Sequence, residues 1–206
     1  MTNSLQEYLN FANKLADVAG TTSMEYFRTS LSIDCKSDES PVTIADQNTE
    51  LKIRSMIEKE YPNHGILGEE FESVNPDAEF IWVIDPIDGT RSYIAGHKDF
   101  GNLISLTQNK KPIIGIINCP AHDERWVGFR DQNSTVNNQT VKTSNVTKIE
   151  DAYIFTSGLY FDEPHLRNAV DKIKNKVRYF RYGGDCYMYG MVASGLIDIV
   201  IEDTLK

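Results

Sequence analysis

Apolar residues recur along the start of the chain at Leu5, Tyr8, Leu9, Ala12, Leu15, Ala16 and Ala19, the spacing of one face of an α-helix. Ser4 with Glu7 reads as a capping box, and the stripe predicts an amphipathic helix reaching Tyr26 or Phe27 that packs into a core. From Ile33 to Thr43 charges mix with Ser and Pro, which predicts a loop or short hairpin. A second helix follows, with Asp46 read locally as its cap and Leu51, Ile53, Met56 and Ile57 as its inner face before Pro62 closes it. Gly65-Ile66-Leu67-Gly68 is a short strand that ends in Glu69 and Glu70. Phe80 to Ile84 is an unbroken apolar run, long enough for a buried strand and too short for most helices.

Beyond Phe100 the pattern turns β-rich. Asn102 to Thr107, Pro112 to Asn118 and Arg125 to Phe129 are joined by short polar segments, which predicts antiparallel strands. The polar stretch Asp131 to Ser144, with a turn at Asn137-Asn138, divides the chain into an N-terminal α+β lobe (1–144) and a C-terminal α/β lobe (145–206). The second lobe alternates strand and helix. Tyr153 to Thr156 is a strand. A helix then starts near Asp162 or Glu163 with Pro164 in its first turn and Leu166, Ala169, Val170 and Ile173 inward. Val177 to Arg181 is a strand, Gly183-Gly184-Asp185 opens a helix that runs through Ser194 and stops at Gly195, and Ile197 to Ile201 is the last strand.

Composition narrows the function classes. A chain of 206 residues with 40% apolar content can bury a real core. Thirty acidic against 21 basic residues give a net charge of −9, which repels polyanions and argues against nucleic acid and anionic membranes as partners. A small phosphorylated metabolite is still admitted where a metal reverses the local sign. Cys35, Cys119 and Cys186 are widely separated and read as reduced thiols that serve packing. No basic-then-apolar leader precedes Ser4, and no apolar run approaches the roughly 18 residues of a membrane span. The expectation is a soluble, cytoplasmic protein.

The candidate chemistry lies in Asp85-Pro86-Ile87-Asp88-Gly89-Thr90, directly after the apolar strand. With Pro86 at the second position of a type I turn, Asp85 and Asp88 come within about 7 Å of each other. Two carboxylates facing one small volume force a proton onto one of them unless a cation sits between. Gly89 and Thr90 add backbone N–H donors and a hydroxyl, and Glu69 and Glu70 at the end of an adjacent strand complete an acidic cage suited to magnesium. Read alone, the stretch is equally a polar turn after a strand. A calcium loop is excluded, because the twelfth position from Asp85 is Gly96. There is no phosphate-binding Gly-x-x-x-x-Gly-Lys run, Gly183-Gly184 lacks dinucleotide spacing, and no Gly-x-Ser-x-Gly elbow occurs. His64, His97, His122 and His165 show no metal-ligand spacing and read as surface or packing residues.

Gly68-Glu69-Glu70 followed by Trp82-Val83-Ile84-Asp85-Pro86-Ile87-Asp88-Gly89-Thr90 resembles the inositol monophosphatase family of magnesium-dependent phosphatases. Lys36 with Pro41-Val42-Thr43-Ile44-Ala45-Asp46 extends the resemblance over nearly the whole chain. The resemblance implies an α+β fold, a layered α-β-α-β-α sandwich of the inositol monophosphatase and fructose-bisphosphatase type. It implies one Mg2+ on Glu69, Asp85 and the Ile87 carbonyl, and a second shared by Asp85 and Asp88. The phosphate would lie beside Asp88 on the Gly89 and Thr90 amides, with Thr90, Asp46 and Glu69 as the catalytic groups. Asp46 thereby changes from a cap to a site residue. Arg91-Ser92-Tyr93 and Gly183-Gly184-Asp185-Cys186-Tyr187 are more similar to the histidinol-phosphate phosphatase branch, in which Asp185 and Glu202 would attract the cationic end of the substrate. The implied reaction is hydrolysis of histidinol phosphate to histidinol and phosphate, in histidine biosynthesis. The same chemistry on inositol phosphate or another small sugar phosphate is the rival, and a silent remnant that binds metal or a partner protein is the reading from another class. A homodimer is expected from the resemblance alone. Family members continue past the strand matching Ile197 to Glu202 into a Trp/Tyr-Asp motif that ligates the second metal, and this sequence ends at Lys206 before it. The expectation is a C-terminally incomplete sandwich, with exposed apolar surface and weak or absent activity for these 206 residues.

Overall fold

The computed structural model describes residues 2–30, 33–35, 41–158 and 163–203; Lys36 and Asp162 fall outside them. Helix α1 (Thr2–Tyr26) ends where the apolar stripe predicts but begins ahead of Ser4, which therefore lies inside the first turn rather than at a cap. Phe11, Ala12, Leu15, Ala16 and Ala19 are buried along one face. The alanines let the helix backbone come close to the sheet, where Asn118 Nδ2 donates to the Ala16 carbonyl at 3.2 Å. Strands β1 (Ile33–Cys35) and β2 (Pro41–Thr43) form the antiparallel hairpin that the sequence predicts, with Ile33 opposite Thr43.

Helix α2 (Ile44–Glu60) buries Ile53 and Ile57 completely. Leu51, expected inside, is 50% exposed. The inward stripe runs through Glu50, Ile53, Arg54 and Ile57, and Leu51 lies about 100° round the helix from Glu50. Two charged residues thus occupy a face that a purely apolar reading gave to leucine.

Strand β3 (Gly65–Gly68) pairs in parallel with β4 (Phe80–Asp88). After the short helix α3 (Thr90–Ile94) come β5 (Gly101–Gln108), antiparallel to β4, and then β6 (Lys111–Cys119) and β7 (Glu124–Phe129), each antiparallel to its predecessor as predicted. The polar stretch after β7 adds a small hairpin, β8 (Thr135–Val136) and β9 (Gln139–Thr140), turning at Asn137 and Asn138, both in the left-handed region. Together they form a seven-stranded sheet in order β3-β4-β5-β6-β7-β8-β9. Side chains alternate across a strand. Trp82, Ile84, Ile104, Leu106, Ile114 and Ile116 consequently meet α1 and α2 in one core cluster, while Cys119 and Trp126 form another with Leu103 and Ile117 against them. Full burial of each such apolar side chain contributes about 1.5–3 kcal/mol.

Strand β10 (Tyr153–Thr156), helix α4 (Pro164–Lys174), strand β11 (Tyr179–Tyr182), helix α5 (Asp185–Ala193) and strand β12 (Ile199–Val200) complete the chain. A second sheet has the order β11-β10-β12, all parallel. The step from β10 to β11 and the step from β11 to β12 run in opposite directions across it, so right-handed crossovers put α4 and α5 on opposite faces. Helix α5 packs Cys186 and Tyr187 against Cys119 and Trp126 of the large sheet, and Trp126 Nε1 donates to Ser194 Oγ at 2.8 Å. Helix α4 buries Val170, with Lys174 over the Phe180 and Tyr182 rings; Ala169, expected inward, is exposed. The layers are α1 and α2, the large sheet, α5, the small sheet and α4, the α-β-α-β-α sandwich that the family resemblance implies. Among the described residues no helix is long and apolar enough to cross a membrane.

His64 packs rather than faces solvent. Its ring stacks on Tyr61 at 4.7 Å and on Phe80 at 5.0 Å, and its Nδ1 accepts from Trp82 Nε1 at 3.1 Å. That bond needs an unprotonated Nδ1, and burial holds the imidazole below its usual pKa, with Glu79 opposing. A base with a lowered folded-state pKa stabilises above its unfolded value and loses that contribution as pH falls through the folded one. The prediction is that the parent loses stability relative to His64→Gln between about pH 7 and pH 5. Urea midpoints of the two proteins across that range, at constant ionic strength, measure it.

Candidate active site

Parallel pairing sets Gly68 beside Ile84, so the chain leaves β3 at the sheet edge that β4 is about to reach. Glu69 follows β3 directly and Asp85 is the next residue on β4, so the Glu69 charge acts on Asp85. Asp85 is half-buried, and its buried Oδ1 has no hydrogen-bond partner. Burial raises its pKa well above the carboxylate range, with the negative charges of Glu69 and Asp88 adding to the effect.

Strand β4 does not turn after Ile84. It continues to Asp88, and the register with β5 slips between Asp85 and Asp88, so the type I turn expected at Pro86 is a bulge within the strand. Proline has no N–H to give to the ladder, and the Pro86 carbonyl is taken by Asn102 Nδ2 at 2.7 Å. Asn102 is itself fully buried and accepts from Asn118 Nδ2 at 2.8 Å. Asp88 points toward α5, where the Cys186 amide donates to Asp88 Oδ1 at 2.7 Å. Burial raises the Asp88 pKa, the Cys186 hydrogen bonds lower it, and Asp185 and Glu69 raise it again.

Gly89 lies at φ 79°, in the left-handed region, and caps α3. A Cβ there would stand 3.0 Å from both Cβ and Cγ of Asp185, so only glycine lets α5 close over the loop. The first helical residue, Thr90, donates its hydroxyl to the Ile87 carbonyl at 3.0 Å and stands 3.4 Å from Asp46 Oδ1. The cap of α2 is Thr43, not Asp46. Asp46 is the third helical residue, and its Oδ2 accepts from Thr43 N at 2.8 Å and Thr43 Oγ1 at 2.6 Å. The cap box therefore uses one carboxylate oxygen and turns the other to Thr90. Burial raises the Asp46 pKa, against the lowering effect of the Thr43 bonds. The Thr-x-x-Asp pattern at 43–46 carries the signal for this box.

Asp185 sits at φ 40°, and its Oδ2 accepts from Ser92 Oγ at 2.6 Å. Burial raises its pKa; the Ser92 bond opposes this, Asp99 adds to it and His97 offsets it. Ser92 and the Cys186 amide have no sequence signal of their own, because both contacts join residues more than 90 positions apart. Glu202 is held at the small sheet, where its Oε1 accepts from Ser157 N at 2.7 Å and Ser157 Oγ at 3.0 Å.

Among the described residues no three acidic, histidine or cysteine side chains already form a cation cage, and Asp88 leans to Cys186. The donor set nonetheless fits a hard divalent ion. It has an orphaned buried oxygen on Asp85, two further carboxylates, Glu69 and Asp88, within electrostatic reach and the Ile87 carbonyl close in sequence.

Residues 4–206 match the model of the inositol monophosphatase family. The chain is 39% identical over 204 residues to the chloroplastic bifunctional phosphatase IMPL2 of Arabidopsis thaliana, covering 98% of this chain and 59% of that protein. It is 35% identical over 200 residues to the histidinol-phosphatase of Chlorobaculum parvum, covering 96% and 77%. An inositol monophosphatase structure from Zymomonas mobilis superposes with a TM-score of 0.87 at 41% identity, covering 98% of this chain and 78% of that one. With sequence match, identity and architecture in agreement, this chain is a member of the inositol monophosphatase family.

Proposed function

We propose that the chain is a magnesium-dependent phosphomonoesterase that hydrolyses histidinol phosphate. The observation that carries the reading is the buried, partnerless Oδ1 of Asp85, with the charges of Glu69 and Asp88 acting on the same group, which leaves negative charge that only a cation can neutralise without protonation. Glu69, Asp85, Asp88 and the Ile87 carbonyl would hold Mg2+. When bound, the ion supplies positive charge that acidifies the attacking water and steadies the departing alkoxide.

The protein groups divide the remaining work. Thr90 Oγ1 accepts a proton from the attacking water as its own proton moves toward Asp46 Oδ1, 3.4 Å away. Thr43 fixes Asp46 through the other oxygen, so the pair enters the reaction already oriented. The turn at Gly89 and Thr90 receives the phosphoryl group. Asp185, held by Ser92, is the acidic group next to that turn and suits a substrate with a cationic end. The histidinol-phosphatase of C. parvum supports this choice. The inositol monophosphatase of Z. mobilis supports a second reading, in which Asp185 accepts from a sugar hydroxyl.

Phosphate-release assays on histidinol phosphate and inositol phosphate, with Mg2+ or with chelator, separate the readings. Histidinol phosphate is expected to be preferred about tenfold or more in kcat/KM, chelator to abolish release, and Asp185→Asn to narrow the preference. Faster release from inositol phosphate selects the second reading. Mg2+ binding without release from any ester selects the silent remnant.

Without cation, Asp46, Asp85 and Asp88 all have folded-state pKa values raised above their unfolded ones. The folded protein then binds more protons than the unfolded chain, so these groups destabilise it as pH rises from about 4 toward neutrality. In chelator, Asp85→Asn is expected to lose less stability than the parent over that rise. Mg2+ should raise the melting temperature of the parent and leave that of Asp85→Asn unchanged. Thermal melts with and without Mg2+ at several pH values test this.

A further inference from the structure

We infer that Glu50 and Arg54 are positioning residues for the cation site, an inference that rests on the reading of Glu69 as a cation ligand. They stand one turn apart on α2, with side chains 0% and 8% exposed, and Arg54 Nε donates to Glu50 Oε1 at 2.7 Å. Neither reaches the reacting groups. Both reach the backbone on the far side of Glu69: Glu50 Oε2 accepts from the Glu70 amide at 2.9 Å, and Arg54 Nη2 donates to the Phe71 carbonyl at 2.9 Å. The guanidinium also lies over the Phe71 ring, 5.7 Å from its centroid.

The residue on the near side of Glu69 rests on the same pair. A Cβ on Gly68 would lie 1.9 Å from Glu50 Oε1 and 2.8 Å from Arg54 Nη2, which no side chain larger than hydrogen permits. Residues 68, 70 and 71 are therefore fixed by two side chains of one helix, and Glu69 is the residue suspended between them. The segment after Gly68 leaves the sheet, so ladder hydrogen bonds do not do this work.

Global stability is a poor reason for such a pair. Burying two charges costs several kcal/mol each before their attraction offsets it, and an apolar pair of equal volume is often neutral or better. An apolar pair cannot accept from the Glu70 N–H or donate to the Phe71 carbonyl. The pair therefore serves the loop: it fixes the backbone on which Glu69 is carried toward the cation site, as groups behind a metal ligand commonly do.

The test compares the parent with Glu50→Met/Arg54→Leu and with Arg54→Lys, which keeps the charge but not the fork. Three measurements are made: urea midpoint in chelator, hydrogen exchange of the Glu70 amide in chelator, and Mg2+ affinity by calorimetry. The double variant is expected to keep the parent's midpoint, to exchange Glu70 about tenfold faster or more, and to bind Mg2+ about 10–100-fold more weakly. Arg54→Lys is expected to fall between. A folded double variant with parental exchange and affinity overturns the proposal. Should the double variant unfold, Arg54→Lys decides in the same way, since parental exchange and affinity in it overturn the proposal. Should the parent itself bind no Mg2+, the cation reading fails, and the exchange comparison still decides whether the pair holds the loop.

Discussion

Negative charge crowded at one edge of a sheet is the constraint around which this molecule is built. The parallel register of β3 and β4 places Gly68 beside Ile84, and from that one alignment the Glu69 charge acts on Asp85, whose Oδ1 is buried. Like charges in such surroundings are unfavourable, and the raised pKa of Asp85 expresses the cost. On the proposed reading a divalent ion supplies the counter-charge that this arrangement calls for, and oxygen ligands of this kind suit it.

Much of the surrounding structure fixes the backbone and the carboxylates at that edge. Pro86 removes a ladder donor, the strand bulges, and Asn102 takes up the carbonyl that is left. Thr43 occupies one oxygen of Asp46 and Cys186 one oxygen of Asp88, so each carboxylate is fixed by half of its acceptor capacity. Buried polar groups satisfied in this way define one geometry rather than several. The apolar layers supply the rigid support, with α1 and α2 on one face of the large sheet and α5 on the other.

The two ends of the site come from different parts of the architecture. The acids at 69, 85 and 88 belong to the large sheet, whereas Asp185 arrives on α5, the helix packed between the sheets. Glycine at 89 allows that approach. On the proposed reading the reacting groups and the recognition group thus sit on separate elements, a division that lets one chemistry serve different substrates.

Periodicity placed most elements correctly, since the burial of a helix face or a strand face is a local property that the spacing of apolar residues records. Helix α1, the antiparallel run β5 to β7, the hairpin turn at Asn137-Asn138 and the stop at Gly195 were all legible in this way. The Glu-Glu and Asp-Pro-Ile-Asp-Gly-Thr motifs also made the family legible. Tertiary structure decided the rest: that Asp85 to Asp88 is a bulge and not a turn, that Thr43 caps α2 while Asp46 closes that cap box and turns its other oxygen to Thr90, and that Glu50 and Arg54 displace Leu51 from the interior. Each of these depends on a partner distant in the chain, Asn102 for Pro86, Thr90 for Asp46 and Glu70 with Phe71 for the ion pair. The worth of a polar group inside a protein is set by what it bonds to there, and that partner is chosen only when the chain has folded.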